Sequence, residues 1–587
     1  MNTMRFRIMD NKVIIYTRGK VCETADELFS SELFHEILGR FLEMLREKRS
    51  PILDAAGIDE LPDGGAVALL AETMRHLAKL PAPVVPNVVK GAEVLLRDVQ
   101  NFSRLIEQMY NFWRSHDRFI VCDSEGDILD KRPYRTFNDT VERMTHLVRG
   151  AYRDIDENLT CTHPRIYRQL TAGAQVAAIS LPRPLELPGG LYEKLSRIRV
   201  IRQVLINPPL ILNPPINKRT GQFIRVERNP LEVIDPVDDE WLCYPAKVGP
   251  LLILIYFHAR FFELGFSLCN LFEMASDEDL ARKPDALYLF GVPGDAIDTL
   301  AEFPTVFHED REGGMLVAAV PNRDEFGYFG YLKKMVLTLH NIRMMQAGRL
   351  PFHGAFVRIV MDGDSQKNIL IIGDTGAGKS ETLEAFRTIG GDDIRDMTII
   401  ADDMGSLDID DRGDIIGYGT EIGAFLRLDD LQPGYAFGQI DRSIIMSPAQ
   451  VNARIVIPVT TCDIVMKGHR VDMVLYANNY EQVDDDHPII ERFSDVDRAF
   501  TIFREGMVMS KGTTTSTGIV HSYFANIFGP PQYREIHDRL AMVFFNAFFG
   551  RGVFVGQMRT RLGINGFEMR GPEEAARELL RLVRGGC

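Results

Sequence analysis

The spacing of hydrophobic positions changes along the chain. In residues 33–45 (L-F-H-E-I-L-G-R-F-L-E-M-L), 66–80 and 89–112, apolar side chains recur three and four positions apart, the period of a helix with one buried face. The P-A-P-V-V-P stretch at 81–86 parts two of these helices, because proline fixes φ and has no N–H to donate. A mainly helical region is therefore expected over residues 1–175. From 176 to 335 the apolar residues come instead in short runs between Pro and Gly, as at 198–212, 286–292 and 315–320, which predicts a mixed α/β domain. The longest run, 249–272, is interrupted by His258, Arg260 and Glu263, so a buried helix is expected there rather than a membrane span. Residues 328–339 (Y-F-G-Y-L-K-K-M-V-L-T-L) return to helical spacing.

The third part, 336–587, opens with a strand at 355–360 and a hairpin at Asp362, Gly363 and Asp364 that leads into a second strand, 369–372. G-x-x-x-x-G-K-S follows at once, G-D-T-G-A-G-K-S-E from Gly373 through Asp374, Thr375, Gly376, Ala377, Gly378, Lys379 and Ser380 to Glu381, and a helix-forming segment comes after it. Strand, glycine-rich loop and helix in that order are a phosphate-binding loop. The glycines let backbone N–H groups turn toward phosphate oxygens, Lys379 brings a point charge to the β/γ-phosphates, Ser380 offers a hydroxyl to Mg²⁺, and the helix N-terminus adds its positive end.

Flanking residues bear on the same chemistry. His353 follows Lys334 by nineteen positions and lies just before the first strand, which brings it toward the phosphates. T-I-I-A-D-D at 398–403 is an apolar strand ending in two carboxylates, as a nucleotide–metal site requires. The basic segment 218–228 (K-R-T-G-Q-F-I-R-V-E-R) suits either a solvated strand edge or an anion-binding face, whereas His163, beside a proline, suits a turn.

Charge and cysteine content narrow the class. A net charge of −15 leaves no basic excess for a general nucleic-acid binder, although small anions remain compatible. The seven cysteines are scattered and never in C-x-x-C spacing, so neither a disulfide framework nor a zinc site is indicated. The first sixteen residues lack a signal-peptide core, and a cytoplasmic protein with no membrane association is expected.

Taken in order, the lysine pair after Y-F-G, the later His353, the phosphate loop and the Asp402–Asp403 pair resemble the phosphoenolpyruvate carboxykinase family, in which Y-G-G-E-M-K-K, a metal-binding His, G-x-S-G-x-G-K-T and G-D-D follow one another. Glu421 in T-E-I-G-A-F and Arg454 in A-R-I-V-I-P are similar to its E-G-G-C-Y and T-R-x-x-Y-P, and 503–513 is similar to a later segment. The loop and H-G-A-F-V also resemble the related HPr kinase/phosphorylase. The resemblance covers about 320–570 and, more faintly, 200–320.

It implies a carboxykinase-like α/β fold: a substrate domain over 176–335, a nucleotide- and metal-binding domain over 336–587, and the helical region as an addition. It further implies that Lys334, His353 and Asp403 hold Mn²⁺, that Ser380 takes Mg²⁺ beside the phosphates of ATP, GTP or pyrophosphate, and that Glu421 belongs to the nucleotide site. Tyr328, Lys333 and Arg454 would hold the substrate carboxylate and the transferring phosphoryl group. The implied reaction converts oxaloacetate and a nucleoside triphosphate into phosphoenolpyruvate, CO₂ and the diphosphate. A lysine ligand must be neutral, so the pKa of Lys334 has to be lowered.

Departures leave other readings open. The family's G-R-S-P-x-D-K has no clear copy, Arg225 being the nearest candidate, and Thr514, Thr515 and Ser516 stand where the ATP enzymes continue E-R-G. The interval from Lys379 to Asp403 is longer than in either relative. A kinase acting on a small-molecule or protein hydroxyl, with Asp402 or Asp403 as the base, is one alternative, and an inactive nucleotide-binding regulatory protein is another.

Overall fold

A computed structural model describes the chain except for residues 1–4, 18–20, 62–64, 124–131, 164–169, 182–184, 186, 363–364, 429–439, 512–516 and 586–587. The protein is mixed α/β and divides into two compact units, Met1–Pro184 with Arg199–Asn207, and Leu185–Ile198 with Pro208–Cys587. The tip of the expected hairpin at Gly363–Asp364 and the segment Thr514–Ser516 lie outside the described residues.

In the first unit, helices Glu32–Glu47, Ala66–Leu77, Val99–Ser115 and Arg132–Thr160 bury one face each around Phe41, Leu70, Phe102 and Val141. Two of them start where a side chain caps free N–H groups, Ser31 accepting from Phe34 and Asp98 from Asn101. Asp98 is also why the helix expected over 89–112 is broken into Ala92–Leu95 and Val99–Ser115. The expected mainly helical region carries a sheet as well. Arg5–Met9 and Lys12–Thr17 form a hairpin, Lys12–Thr17 and Val176–Ser180 flank Asp117–Cys122 in parallel, and Arg199–Ile206 adds antiparallel to Val176–Ser180.

The second unit corrects the reading of 249–272. Residues Leu251–His258 are a strand buried along its whole length, paired antiparallel with Trp241–Val248 and parallel with Ala286–Val292, and only short helical turns follow it. A strand covered on both faces reads as a continuous apolar run, so periodicity could not separate it from a buried helix. Among the described residues, no helix is long and apolar enough to cross a membrane. Met315–Pro321, Val306–Asp310 and Ile224–Val226 extend this sheet.

A second sheet holds the glycine-rich loop Gly373–Gly378. Its organising strand is Leu350–Met361, twelve residues long, paired antiparallel with Gln366–Ile372 on one side. On the other side it changes partner partway along, from Met404–Ile409 opposite its first residues to Ile394–Ala401 opposite the remainder. The register runs from His353 opposite Met404 to Phe356 opposite Ala401, so Asp402 and Asp403 fall in the gap where the partners switch. The Gly354 N–H closes that gap on the Asp403 carbonyl at 2.9 Å. Gln366–Ile372, Met473–Asn478 and Phe554–Arg559 run parallel beyond it, and helix Lys379–Gly390 starts from the loop after the first of them. Helix Phe329–Gln346 is buried on nearly every side, which explains its weak amphipathic pattern. A small sheet of Gly423–Arg427, Arg454–Pro458, Ile444–Met446 and Leu210–Leu212 carries Arg454.

Two buried histidines make the second unit sensitive to acid. Burial pushes both His340 and His537 down to about 4, against about 6.5 for an exposed imidazole. A depressed histidine contributes stability fully above its unfolded pKa and loses it as pH falls from about 6.5 to about 4, because the unfolded chain takes up the proton first. Urea unfolding across that window is expected to lose about 1.4 kcal/mol per pH unit for each histidine. His537→Gln should flatten the slope by that amount, and an unchanged slope would contradict the assignment.

Candidate functional site

The loop from Gly373 to Gly378 is shaped by its neighbours. Gly376 and Gly378 have φ of 77° and 92°, the left-handed region that a side chain disfavours, and a Cβ on Gly378 would fall 2.6 Å from the Thr560 hydroxyl. Thr560 donates to the Ala377 carbonyl at 2.7 Å and Asn479 to the Gly376 carbonyl at 2.9 Å. The Gly373, Thr375 and Ala377 N–H groups are bonded within the protein, so the other loop N–H groups are the ones an anion could take. Lys379 is buried with its ammonium turned back on the Gly373 and Asp374 carbonyls, at 2.6 and 3.1 Å. Ser380 is exposed on the first helical turn and Glu381 is half-buried. Thr375 is exposed, and its N–H donates to Asp374 Oδ1 at 2.7 Å.

Beside the loop, one ammonium stands among carboxylates. Lys333, 2 % exposed, reaches Asp403 Oδ2 at 2.8 Å and Glu421 Oε1 at 2.9 Å. His353 Nε2 lies 2.8 Å from Asp403 Oδ1. Burial pushes the Asp403 carboxyl up, but the Lys333 charge and the His353 hydrogen bond outweigh it and hold it well below the usual range. Glu421, also 2 % exposed, goes the other way: burial pushes it up to about 8, Lys333 only partly offsets this, and Oε2 has no hydrogen-bond partner. Burial raises Asp402 as well, against the pull of Lys333 and Lys379. Lys333 thus helps to keep Asp403 ionised, while burial raises the two carboxyl groups beside it.

The two adjacent lysines have opposite environments. Burial lowers Lys333, but Asp403 and Glu421 overcome this and raise it. For Lys334, burial comes first and the Arg219 charge second, and its amine is pushed down to about 8. Its Nζ lies 4.6 Å from the centre of the Phe528 ring. The Lys334 amine is thus lowered toward the neutral form that a metal-bound lysine would need, by burial and Arg219 more than by Lys333.

A third cluster surrounds Phe425. The Arg454 guanidinium lies 5.4 Å and Lys333 Nζ 6.0 Å from that ring, whose centre is 6.0 Å from the Tyr328 ring. Arg454 donates to the Tyr328 hydroxyl, and burial raises the Tyr328 pKa in spite of the surrounding cations. Arg219 interacts electrostatically with Tyr328, Tyr331 and Lys334, while its guanidinium stacks on Phe223 at 5.0 Å and donates to the Gly221 carbonyl.

The structure brings Lys333, Lys334, His353, Asp402, Asp403 and Glu421 beside the glycine-rich loop and sets Arg454 and Tyr328 against Phe425. Glu421 is occupied with Lys333 rather than with the loop. Arg225 is committed elsewhere, 3.3 Å from Glu309 and stacked on Tyr533. The guanidinium near Lys334 is that of Arg219, which sequence reasoning passed over within the same basic segment. His163 is exposed and paired with Glu157. Among the described residues, no three His, Cys, Asp or Glu side chains gather into a metal-holding group, so an ion at His353 and Asp403 needs the Lys334 amine as its further protein donor. A buried imidazole beside a carboxylate, and an amine of lowered pKa, are the donor types such an ion would take. No protein-family model matches the chain, and no curated protein is significantly similar to it in sequence.

Removing the Lys333 ammonium leaves Asp403 and Glu421 buried without their cation. Lys333→Met is expected to destabilise the second unit by about 3 kcal/mol. Lys334→Met, at a position where burial already opposes the charge, is expected to cost less than about 1 kcal/mol. Parallel urea unfolding of the two variants checks this, and equal midpoints would contradict the assigned roles.

Proposed function

We propose that the protein is a metal-dependent phosphoryl-transfer enzyme with a carboxykinase-like core, acting between a nucleotide or pyrophosphate donor and a small anionic acceptor of the oxaloacetate–phosphoenolpyruvate class. The observation that carries this reading is the convergence, next to a strand–loop–helix phosphate site, of Lys334, His353 and Asp403 with two guanidinium groups that lack acidic partners. Among the described residues neither Arg219 nor Arg454 pairs with a carboxylate, and Arg454 Nε has no hydrogen-bond partner. Cations left unpaired beside a phenol are suited to a carboxylate-bearing substrate.

In this reading the loop N–H groups and Lys379 hold the β/γ-phosphates, and Lys379 leaves the Gly373 and Asp374 carbonyls when they arrive. Arg454, Tyr328 and Arg219 hold the acceptor carboxylate. The electron pair released when CO₂ departs from the β-keto acid forms an enolate, whose oxygen takes the γ-phosphoryl group in line. Lys333 offsets charge on the acceptor side, and burial excludes water that would protonate the enolate. A divalent ion, Mn²⁺ at Lys334, His353 and Asp403 or Mg²⁺ at Ser380, would supply Lewis-acid charge to the transferring group.

A second reading has its own observation. Asp402 is raised by burial and lies within electrostatic reach of Lys379. A carboxylate of raised pKa beside a phosphate loop can take the proton of an acceptor hydroxyl, as a kinase acting on a small molecule or a protein requires.

The deciding experiment is a donor screen with ATP, GTP and pyrophosphate in Mg²⁺ and Mn²⁺. Conversion of oxaloacetate to phosphoenolpyruvate is expected with one of them. Phosphorylated hydroxyl acceptors without decarboxylation would select the kinase, and binding without any turnover a regulatory protein. His353→Ala should lower Mn²⁺-dependent turnover at least 100-fold, about 3 kcal/mol, and leave Mg²⁺–nucleotide affinity within about threefold; equal loss of both would remove His353 from the metal site.

A further inference from the structure

Between strand Thr517–His521 and helix Pro530–Gly550, residues 522–528 carry no motif, yet they touch Asp374, His353 and Lys334. Ser522 Oγ donates to Asp374 Oδ2 on the phosphate loop at 3.0 Å. His353 Nδ1 faces the Ala525 carbonyl and its Nε2 faces Asp403 Oδ1. The Phe528 ring lies against Lys334 Nζ and next to the His353 ring, with centroids 5.9 Å apart.

The backbone here is held away from its ordinary range. Phe524, Ala525 and Asn526 have φ of 44°, 59° and 63°, three successive residues with side chains in the left-handed region. Anchors on both sides maintain it. The Tyr523 hydroxyl sits 2.9 Å from His537 Nδ1 and 2.8 Å from Asp538 Oδ1, and the Phe524 ring packs on His537. The Ser522 N–H donates to the Gly506 carbonyl, and a Cβ on Gly506 would fall 1.8 Å from the Ser522 carbonyl oxygen. Within the segment, Ala525 N–H bonds to the Ser522 carbonyl at 2.7 Å, which joins the residue touching Asp374 to the residue touching His353.

We infer that residues 522–528 are a positioning strap that couples the two halves of the site: phosphate in the loop and a divalent cation at His353–Asp403 favour the same strap position, so each strengthens binding of the other, and Ser522 is the positioning residue. This rests on the proposed phosphate and metal subsites. It goes beyond them in assigning communication between them to a segment that contacts neither ligand. Coupling of this kind is reciprocal, and it is lost when the link is cut although both sites remain intact.

The test is a Mn²⁺ titration of the full chain at saturating Mg²⁺, followed by the spin-resonance signal of free Mn²⁺. It is run with and without ATP, then pyrophosphate, and corrected by a protein-free control. ATP or pyrophosphate is expected to tighten Mn²⁺ binding about fivefold or more in the parent chain. In Ser522→Ala the gain should fall below about twofold while Mn²⁺ affinity without the anion is retained, and Ser522→Thr, which keeps the hydroxyl, should restore it. Ala525→Gly keeps the carbonyl but frees the left-handed backbone, and should weaken the coupling in a chain shown to be folded by circular dichroism. Binding of both ligands to the parent without coupling, or full coupling in Ser522→Ala, would overturn the strap and leave the proposed function standing. Failure of the parent to bind Mn²⁺, or to bind either phosphate compound, would overturn both.

Discussion

The second unit depends on one ammonium. Lys333 is almost fully buried between Asp403 and Glu421, with Asp402 near enough to feel its charge. Taking those groups out of water costs several kcal/mol per ion, and only close pairing offsets it. The pairing is unequal, since Lys333 makes direct ion pairs with Asp403 and Glu421 but not with Asp402. Asp403, which also receives His353, stays ionised, while Glu421 is left with an oxygen that bonds to nothing.

Backbone geometry explains why those groups meet. A strand that pairs with one neighbour along its length can present only alternate side chains to a face. Leu350–Met361 exchanges Met404–Ile409 for Ile394–Ala401, and the two residues released at the exchange are Asp402 and Asp403. His353 is the last residue paired before the switch, so its side chain and the two acids converge without a long loop. Gly354 is needed at the same place, because a Cβ there would meet the Ile371 carbonyl oxygen at 2.4 Å. The glycine-rich loop leaves the strand on the other side of Leu350–Met361, which sets it beside His353 and Asp403.

What could be read in the chain follows from how local each cause is. The strand–loop–helix unit at 369–390 was legible because its signals lie in consecutive residues, and the strands at 286–292 and 315–320 because short apolar runs between breakers have few other solutions. Leu251–His258 was misread since burial on both faces erases the alternation that marks a strand. Arg219 and Arg225 share one basic segment, and only the fold decides that the first lies by Lys334 and the second by Glu309. The strap at 522–528 had no signal, because its decisive contact to His353 is made by a backbone carbonyl, which any residue supplies.

The adjacent lysines show how the same side chain is given two functions by position. Successive helical residues point about 100° apart, so Lys333 and Lys334 cannot face the same neighbours. Lys333 enters the carboxylate cluster and remains charged; Lys334 turns to the Phe528 ring and Arg219, where a charge is opposed. An amine that gives up its proton readily can act as a metal donor, whereas one fixed between carboxylates can only balance charge. Exchanging the two roles would require rotating a helix buried on nearly every side, so the pair records the orientation of Phe329–Gln346 as firmly as any packing contact does.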